Sequence, residues 1–153
     1  MEAEPTILLP GSFNPIHKGH LSIAENVLRA MPEATLWFVV SPQNPLKSPS
    51  ELAEERHRLQ MARIAVGSSP LRERMAVCDV EFTLPKPSLT LRTLDTLQAK
   101  HPSRRFALLV GTDIVGEFGR WYRSGEILDR FEVLVYPRGT EPDSVSDERF
   151  TFL

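Results

Sequence analysis

The sequence lacks several features on which whole classes of protein depend. Its single cysteine, Cys78, cannot form an internal disulfide, which favours a reducing compartment. No uninterrupted apolar run exceeds five residues, whereas a bilayer-spanning helix needs roughly 20. The first residues, MEAEP, have neither the basic nor the apolar region of a signal peptide. We therefore expect a cytoplasmic protein with no membrane partner.

A large excess of charge of one sign is also missing. Lys and Arg number 18 against 20 Asp and Glu, which gives a formal net charge of −2 at pH 7. Nucleic-acid-binding domains usually carry a basic patch, so we expect no nucleic-acid partner. An anionic ligand would have to be held by a local site, because the field of the whole protein does not attract it.

Strand-like and helix-like patterns alternate along the chain. Dense apolar segments predict strands at residues 6–9, 36–40, 74–78, 106–110, 131–136 and 150–153. Apolar residues at helical spacing predict four main helices between them. The first follows His17, has His20 in its first turn and carries its apolar face from Leu21 onwards, and the other three follow caps at Ser50, at Ser88 or Thr90, and at Ser124. A short helix is also expected after Asp113, and an extended piece from residue 79 to Pro87.

This alternation predicts one α/β domain over residues 1–153. The expected fold is a Rossmann-like, doubly wound parallel sheet of five to six strands with helices on both faces. In such sheets the ligand lies beyond the carboxyl ends of the strands, where the strand order reverses. The loops after the first and fourth strands would flank that point. Cys78 is expected to be a small buried strand residue, not a nucleophile.

The segment GSFNPIHKGH, at residues 11–20, lies between the first strand and the first helix. Glycines allow close approach of the backbone to a ligand, and a helix N-terminus attracts anions. His17 and His20 could both direct Nε2 at one phosphate. The spacing His-x-x-His also occurs in metal sites, but no third ligand lies nearby. The dinucleotide fingerprint Gly-x-Gly-x-x-Gly is absent. The pattern therefore favours a polyphosphate site.

The same segment resembles the signature of the nucleotidyltransferase superfamily, with its T/H-x-G-H core. The branch that the chain resembles is the bacterial nicotinate-nucleotide adenylyltransferases. Further stretches match this branch in order, and they are SPQNPLK at 41–47, ER at 55–56, MA at 61–62, Glu81, PSLT at 87–90, TL at 93–94, 106–113, and WY at 121–122 through Arg138. Together they cover nearly the whole chain.

The resemblance implies transfer of the adenylyl group of ATP to nicotinate mononucleotide, with pyrophosphate released, in NAD biosynthesis. It implies His17, His20 and Lys47 as catalytic residues, and Mg²⁺ as the cofactor that accompanies ATP, without protein ligands. The implied ATP-binding residues are Gly11, Ser12, Phe13, His17, His20, Gly111 and Asp113. The implied residues for nicotinate mononucleotide are Ser12, Phe13, Lys47, Thr90, Trp121, Tyr122 and Arg138. Trp121 would stack on the pyridine ring, and backbone N–H groups near Thr90 and Tyr122 would receive its carboxylate.

The chain departs from this branch at several positions. Leu46 stands where many relatives have His, Leu89 where they usually have Tyr, and Asn14 where they have Asp. Relatives continue into an I-S-S/T-T-x-x-R segment that holds the ATP phosphates, and we expect this segment to be missing from the sequence given. Two alternatives stay open. One is another adenylyl or cytidylyl transferase of the superfamily, specific for a nicotinamide nucleotide or phosphopantetheine. The other is a non-catalytic nucleotide-binding module.

Overall fold

The computed structural model describes residues 4–13, 16–42, 49–85, 89–137 and 149–153. Six strands form one sheet, and they are β1 (Glu4–Gly11), β2 (Thr35–Val40), β3 (Met75–Cys78), β4 (Arg104–Gly111), β5 (Glu132–Tyr136) and β6 (Phe150–Phe152). Five α-helices are described, and they are α1 (Lys18–Ala30), α2 (Pro49–Gly67), α3 (Thr90–Lys100), α4 (Thr112–Val115) and α5 (Ser124–Arg130). Short 3₁₀ turns occur at Arg72–Arg74, Val80–Thr83 and Phe118–Arg120.

All neighbouring strands are parallel, in the order β3-β2-β1-β4-β5-β6. The central strands are apolar on both faces because helices cover both. On one face Ile7, Leu36 and Leu109 belong to a cluster that includes buried residues of α1 and α2. On the other face Leu8 and Leu108 belong to a cluster that includes residues of α3 to α5. The predicted fold class is therefore confirmed, with six strands.

The strand order reverses between β1 and β4, which lie side by side at the centre of the sheet. Chain connections from β1 lead outwards through α1 and α2 to β2 and β3, whereas β4 leads to β5 and β6 on the opposite side. Loops that leave β1 and β4 therefore diverge and leave a crevice at their carboxyl ends.

Helix α1 begins at Lys18, directly after His17 and with His20 in its first turn, as the sequence predicts. The predicted start of the next helix was wrong. Helix α2 begins at Pro49, so Ser50 lies inside it.

The other predicted caps differ too. The residue before α3 is Leu89, which makes no side-chain cap hydrogen bond, and Ser88 lies outside the described residues. Before α5 the cap is Arg123, in the left-handed region with φ 52°, and Ser124 is the first helical residue. The segment after β3 is not extended, because Val80–Thr83 forms a 3₁₀ turn.

Candidate active site

A cavity of about 290 Å³ opens at the carboxyl ends of the central strands. Its walls come from β1, β4 and β5, from the loops that follow β1 and β2, and from the α3 and α4 region. The lining residues are Leu9, Pro10, Gly11, Ser12, Ser41, Glu81, Thr90, Leu109, Val110, Gly111, Ile114, Trp121 and Tyr136. This is the crevice that the strand order creates, and it lies where the sequence predicts a ligand.

Five of the predicted site residues line this cavity, and they are Gly11, Ser12, Thr90, Gly111 and Trp121. Five others are described but are not part of its lining, and they are Phe13, His17, His20, Asp113 and Tyr122. Lys47 and Arg138 lie outside the described residues. The structure thus brings the residues after β1 and β4 together with Thr90 and Trp121, while the histidines stand at the start of α1, beside the same loop.

Two histidines form the N-terminal cap of α1. The backbone N–H of Gly19 donates to His17 Nδ1 at 3.1 Å, and the backbone N–H of His17 donates to His20 Nδ1 at 3.0 Å. The rings stack with their centroids 3.8 Å apart. Because each Nδ1 accepts a hydrogen bond, the proton of each neutral ring is on Nε2. Both rings are therefore Nε2–H donors, held at the positive end of a 13-residue helix.

Phe13 supports this pair from beneath. Its ring is buried, and its centroid lies 4.9 Å from that of His20 and 5.6 Å from that of Phe38, edge to face in both cases. The backbone of Phe13 is in the left-handed region, with φ 46°. Such a conformation costs an L-residue roughly 1–2 kcal/mol, so packing of the ring must hold it there.

The two glycines of the motif make room for side chains. A Cβ on Gly11 would lie 3.1 Å from Phe13 Cζ, and a Cβ on Gly19 would lie 2.9 Å from His17 Cε1. In the structure Gly11 accommodates the Phe13 ring and Gly19 accommodates the His17 ring, so both glycines help to set the position of the cap. Gly11 also lines the cavity, and close approach of a ligand to its backbone stays a prediction.

The far wall of the cavity is aromatic. Trp121 is partly buried, and its ring lies 4.7 Å from that of Phe118 between centroids. One indole face can therefore be supported by Phe118 while the residue lines the cavity. Tyr122 is 49% exposed, and its ring lies beneath the Arg123 guanidinium at 5.3 Å. Asp113 is exposed in the first turn of α4.

Sequence reasoning missed a buried polar network around the cavity. Arg58 Nη1 donates to the carbonyls of Ser12, at 2.6 Å, and Ser41, at 2.9 Å. The Ser41 hydroxyl donates to Glu81 Oε1 at 2.7 Å, and the Thr93 hydroxyl donates to Glu81 Oε2 at 2.9 Å. The resemblance includes Ser12, Ser41, Glu81 and Thr93, but it does not include Arg58 or the hydrogen bonds that join these residues. The sequence gives no signal for Arg58, which lies in the charged run EERHR at residues 54–58.

Metal-binding and thiol chemistry find little support in the described residues. Nowhere in these ranges do three or more His, Cys, Asp or Glu side chains cluster as a metal site would require. Cys78 is half-buried in β3, and burial raises the pKa of its thiol, which disfavours the nucleophilic thiolate. In the same described part, no helix combines the length and apolar composition needed to cross a bilayer.

Comparison with known proteins gives the family. A family model described as cytidylyltransferase-like matches residues 8–149. A probable nicotinate-nucleotide adenylyltransferase from Bacteroides fragilis is 40% identical over 90% of this chain and 67% of its own. Its counterpart from Bacteroides thetaiotaomicron is 41% identical over 87% of this chain and 64% of its own. The chain thus spans about two thirds of the length of these relatives.

Solved structures share the fold. Nicotinic acid mononucleotide adenylyltransferase from Plasmodium falciparum, complexed with NaAD, superposes with a TM-score of 0.81 at 20% identity, over 98% of this chain and 73% of that one. A putative nicotinate-nucleotide adenylyltransferase from Vibrio parahaemolyticus gives a TM-score of 0.66 at 22% identity, over 94% and 78%. The match over residues 8–149 and the 40% identity confirm the resemblance. The chain belongs to the cytidylyltransferase-like family and, within it, to the nicotinate-nucleotide adenylyltransferases.

Proposed function

We propose that this chain transfers the adenylyl group of ATP to nicotinate mononucleotide, which gives nicotinate adenine dinucleotide and pyrophosphate. The observation that carries the proposal is the pair of stacked imidazoles, His17 and His20. Both are tied through Nδ1 to the backbone at the start of α1, the helix that follows the cavity-lining residues Gly11 and Ser12. Family membership points to the same reaction.

The reaction needs donors placed around anions, and no covalent nucleophile. A phosphate oxygen of nicotinate mononucleotide attacks the α-phosphorus of ATP, and the bond between that phosphorus and the bridging oxygen breaks as pyrophosphate leaves. The attacking phosphate is already largely ionised at pH 7, since its second pKa is about 6. Nε2–H donors and a helix N-terminus can stabilise negative charge that builds up on the α-phosphate and the leaving group. Lys47 is proposed to share this role.

The pyridine half is assigned to the aromatic end of the cavity. An aromatic ring provides a flat apolar face for a planar ligand, and Trp121 lines the cavity together with Thr90. Tyr122 can contribute only its backbone, because its ring is turned to solvent and the Arg123 guanidinium. Gly111 and Asp113, with Ser12 and Phe13, are proposed for the ATP side, and Arg138 for a phosphate. A volume of about 290 Å³ suits one nucleotide-sized fragment.

Mg²⁺ is expected to arrive with ATP. The groups proposed to contact the phosphates, His17 and His20, are Nε2–H donors, which bind phosphate oxygens and not a metal ion. Mg²⁺ prefers oxygen ligands and keeps several waters, so phosphate oxygens suffice to hold it. We assign it no protein ligand.

The proposal is tested by incubating the protein with Mg-ATP and nicotinate mononucleotide and following pyrophosphate and dinucleotide release. Nicotinamide mononucleotide and phosphopantetheine serve as competing substrates. His17→Asn is the sharpest variant, because Asn is among the best N-cap residues and keeps an acceptor for the Gly19 N–H while removing Nε2. We expect turnover to fall by about 10²–10³-fold, as for loss of one oxyanion donor, with the melting temperature unchanged.

The matched control is His57→Ala, since His57 is exposed on α2, and this variant should keep wild-type turnover. Release of pyrophosphate with another nucleotide, and none with nicotinate mononucleotide, would reject the substrate. Undiminished turnover of His17→Asn would reject the role of the cap.

A further inference from the structure

Arg58 is a buried cation that contacts both loops at the strand ends. It lies on the inner face of α2 and is 3% exposed. Its Nη1 donates to the carbonyl oxygens of Ser12 and Ser41, which are the first residues after β1 and β2. Within the described ranges it forms no ion pair, and its Nε has no hydrogen-bond partner. Burying a charge without a carboxylate partner is costly, so packing alone does not account for an arginine here.

The contact with Ser12 fixes the next peptide group. A trans peptide is planar, and its C=O and N–H point in opposite directions. Since the Ser12 carbonyl is directed at Arg58, the N–H of Phe13 points away from α2. Phe13 is the residue with φ 46°, and its buried ring prevents the peptide from turning. Arg58 and the Phe13 ring therefore hold this N–H in one direction from two sides.

The contact with Ser41 extends across the cavity. The Ser41 N–H donates to the Gly11 carbonyl at 2.9 Å, which continues the pairing of β1 and β2 by one residue. Its hydroxyl reaches Glu81, which in turn accepts from Thr93. Thr93 lies one turn after Thr90, which is part of the cavity wall. One continuous set of hydrogen bonds thus joins Arg58 to both loops and to α3.

We propose that Arg58 is a positioning residue for the adenylyl transfer. It holds the Ser12–Phe13 peptide with its N–H towards the phosphates, and it keeps the loop after β2 in register with the loop after β1. Its buried positive charge also favours an anion beside Ser12, because charges in the interior are weakly screened. This inference rests on the proposed function. It gives α2 a role at the site, although none of the described residues that line the cavity belongs to this helix.

The test compares three substitutions with a control on the same helix. Arg58→Met keeps the apolar stem and removes both hydrogen bonds. Arg58→Lys keeps the charge and one nitrogen, which matters because a single nitrogen, Nη1, serves both carbonyls. Arg58→Gln keeps a neutral donor. Arg63→Met is the control, since Arg63 is exposed and its one ion pair among the described residues is with Asp79, at 3.6 Å.

We expect kcat/KM of Arg58→Met, per folded molecule, to fall by about 10²-fold, as a small misplacement of positioned groups does. KM for ATP should rise along with the fall in kcat. Arg58→Lys should recover to within about tenfold of wild type, and Arg58→Gln should lie below it. The control should match wild type. If Arg58→Met does not fold, as judged by circular dichroism, the test rests on the other two variants, and kcat/KM should decrease from wild type to Arg58→Lys to Arg58→Gln.

The proposal would be overturned if every folded Arg58 variant had kcat/KM and KM for ATP within threefold of wild type. Arg58 would then contribute to the fold only. Direct Mg-ATP binding by calorimetry separates this result from failure of the proposed function. If the wild-type protein binds Mg-ATP but releases no pyrophosphate, the function fails. The positioning role then still predicts binding about tenfold weaker for the Met variant, and equal binding overturns it.

Discussion

Gly19→Ala should separate activity from stability in this protein. The added Cβ would lie 2.9 Å from His17 Cε1 and 3.0 Å from His17 Nδ1, closer than such atoms can come. The backbone of α1 is fixed by its own hydrogen bonds, so the imidazole has to move. It then loses the hydrogen bond from the Gly19 N–H and its 3.8 Å stacking on His20.

The two effects of this change on stability nearly cancel. Alanine inside a helix is favoured over glycine by about 1 kcal/mol. Loss of an N-cap hydrogen bond typically costs about 1 kcal/mol. The free energy of unfolding should therefore stay within about 1 kcal/mol of wild type, which shifts the melting temperature by no more than about 2–4 °C in a chain of this size.

The effect on adenylyl transfer should be much larger. A donor displaced from a phosphate oxygen that it stabilises costs about 10²–10³-fold in kcat, or roughly 3–4 kcal/mol. Urea denaturation and pyrophosphate release on the same preparations measure both quantities. Gly125→Ala is the control, because it also lies in a helix, and a Cβ there meets nothing within 4 Å. Wild-type turnover of Gly19→Ala would refute the argument that Gly19 positions His17.

Three further changes address other parts of the site. Trp121→Leu keeps an apolar contact with Phe118 and removes the stacking face, so KM for nicotinate mononucleotide should rise by about 10–100-fold while KM for ATP stays the same. Steady-state kinetics with each substrate varied in turn checks this, and an unchanged KM would contradict stacking. Glu81→Gln leaves only one oxygen to accept hydrogen bonds from the two hydroxyl donors, Ser41 and Thr93. Urea denaturation should therefore show a free energy of unfolding that is lower by about 1–3 kcal/mol. Burial raises the pKa of the Cys78 thiol above its ordinary value of 9.0, so the stability that the protonated thiol contributes is present below about pH 9 and is lost as pH rises through the folded pKa. Between pH 7.5 and 9.5 the free energy of unfolding should fall more for wild type than for Cys78→Ala, and equal falls would contradict the raised thiol pKa.

The sheet could be predicted from the sequence because its strands are buried on both faces. The segments around Leu8, Val39 and Leu108 are apolar at every position, which an amphipathic strand or a surface helix would not be. Their alternation with helical patterns then leaves few topologies. The reversal of strand order and the crevice after β1 and β4 follow from this class of fold, so the place of the cavity was predictable from the sequence.

The helix starts could not be predicted in the same way. The usual N-cap residues are Ser, Thr, Asp and Asn, and on that basis Ser50 and Ser124 were chosen wrongly. Histidine is rarely considered, yet His17 accepts the Gly19 N–H as a serine would. At α5 a left-handed Arg123 takes the position instead. The residue preferences of N-caps therefore mispredict a helix start where another side chain or the tertiary fold satisfies the free backbone N–H groups.

The network around Arg58 is invisible in sequence for a different reason. Its acceptors, Ser12 and Ser41, are 46 and 17 residues away, and both contacts are to backbone carbonyls, which carry no residue-type signal. Only the fold brings the ends of β1 and β2 to the same face of α2. Backbone contacts between distant segments are therefore the part of a site that pattern matching is least able to find.

Rigidity of the candidate site comes from the core beneath it. Phe13 connects the two, since its ring packs on Phe38 of β2 and on His20. A smaller side chain at position 13 would leave His20 without its support and would also relax a backbone that is held at φ 46°. Catalytic groups must be held within about 0.5 Å of their productive positions, and side chains on surface loops seldom are. Here the imidazoles form a helix cap, Phe13 packs against His20, and Phe13 also packs on Phe38 of β2, so the core beneath the cap holds the groups proposed to bind phosphate.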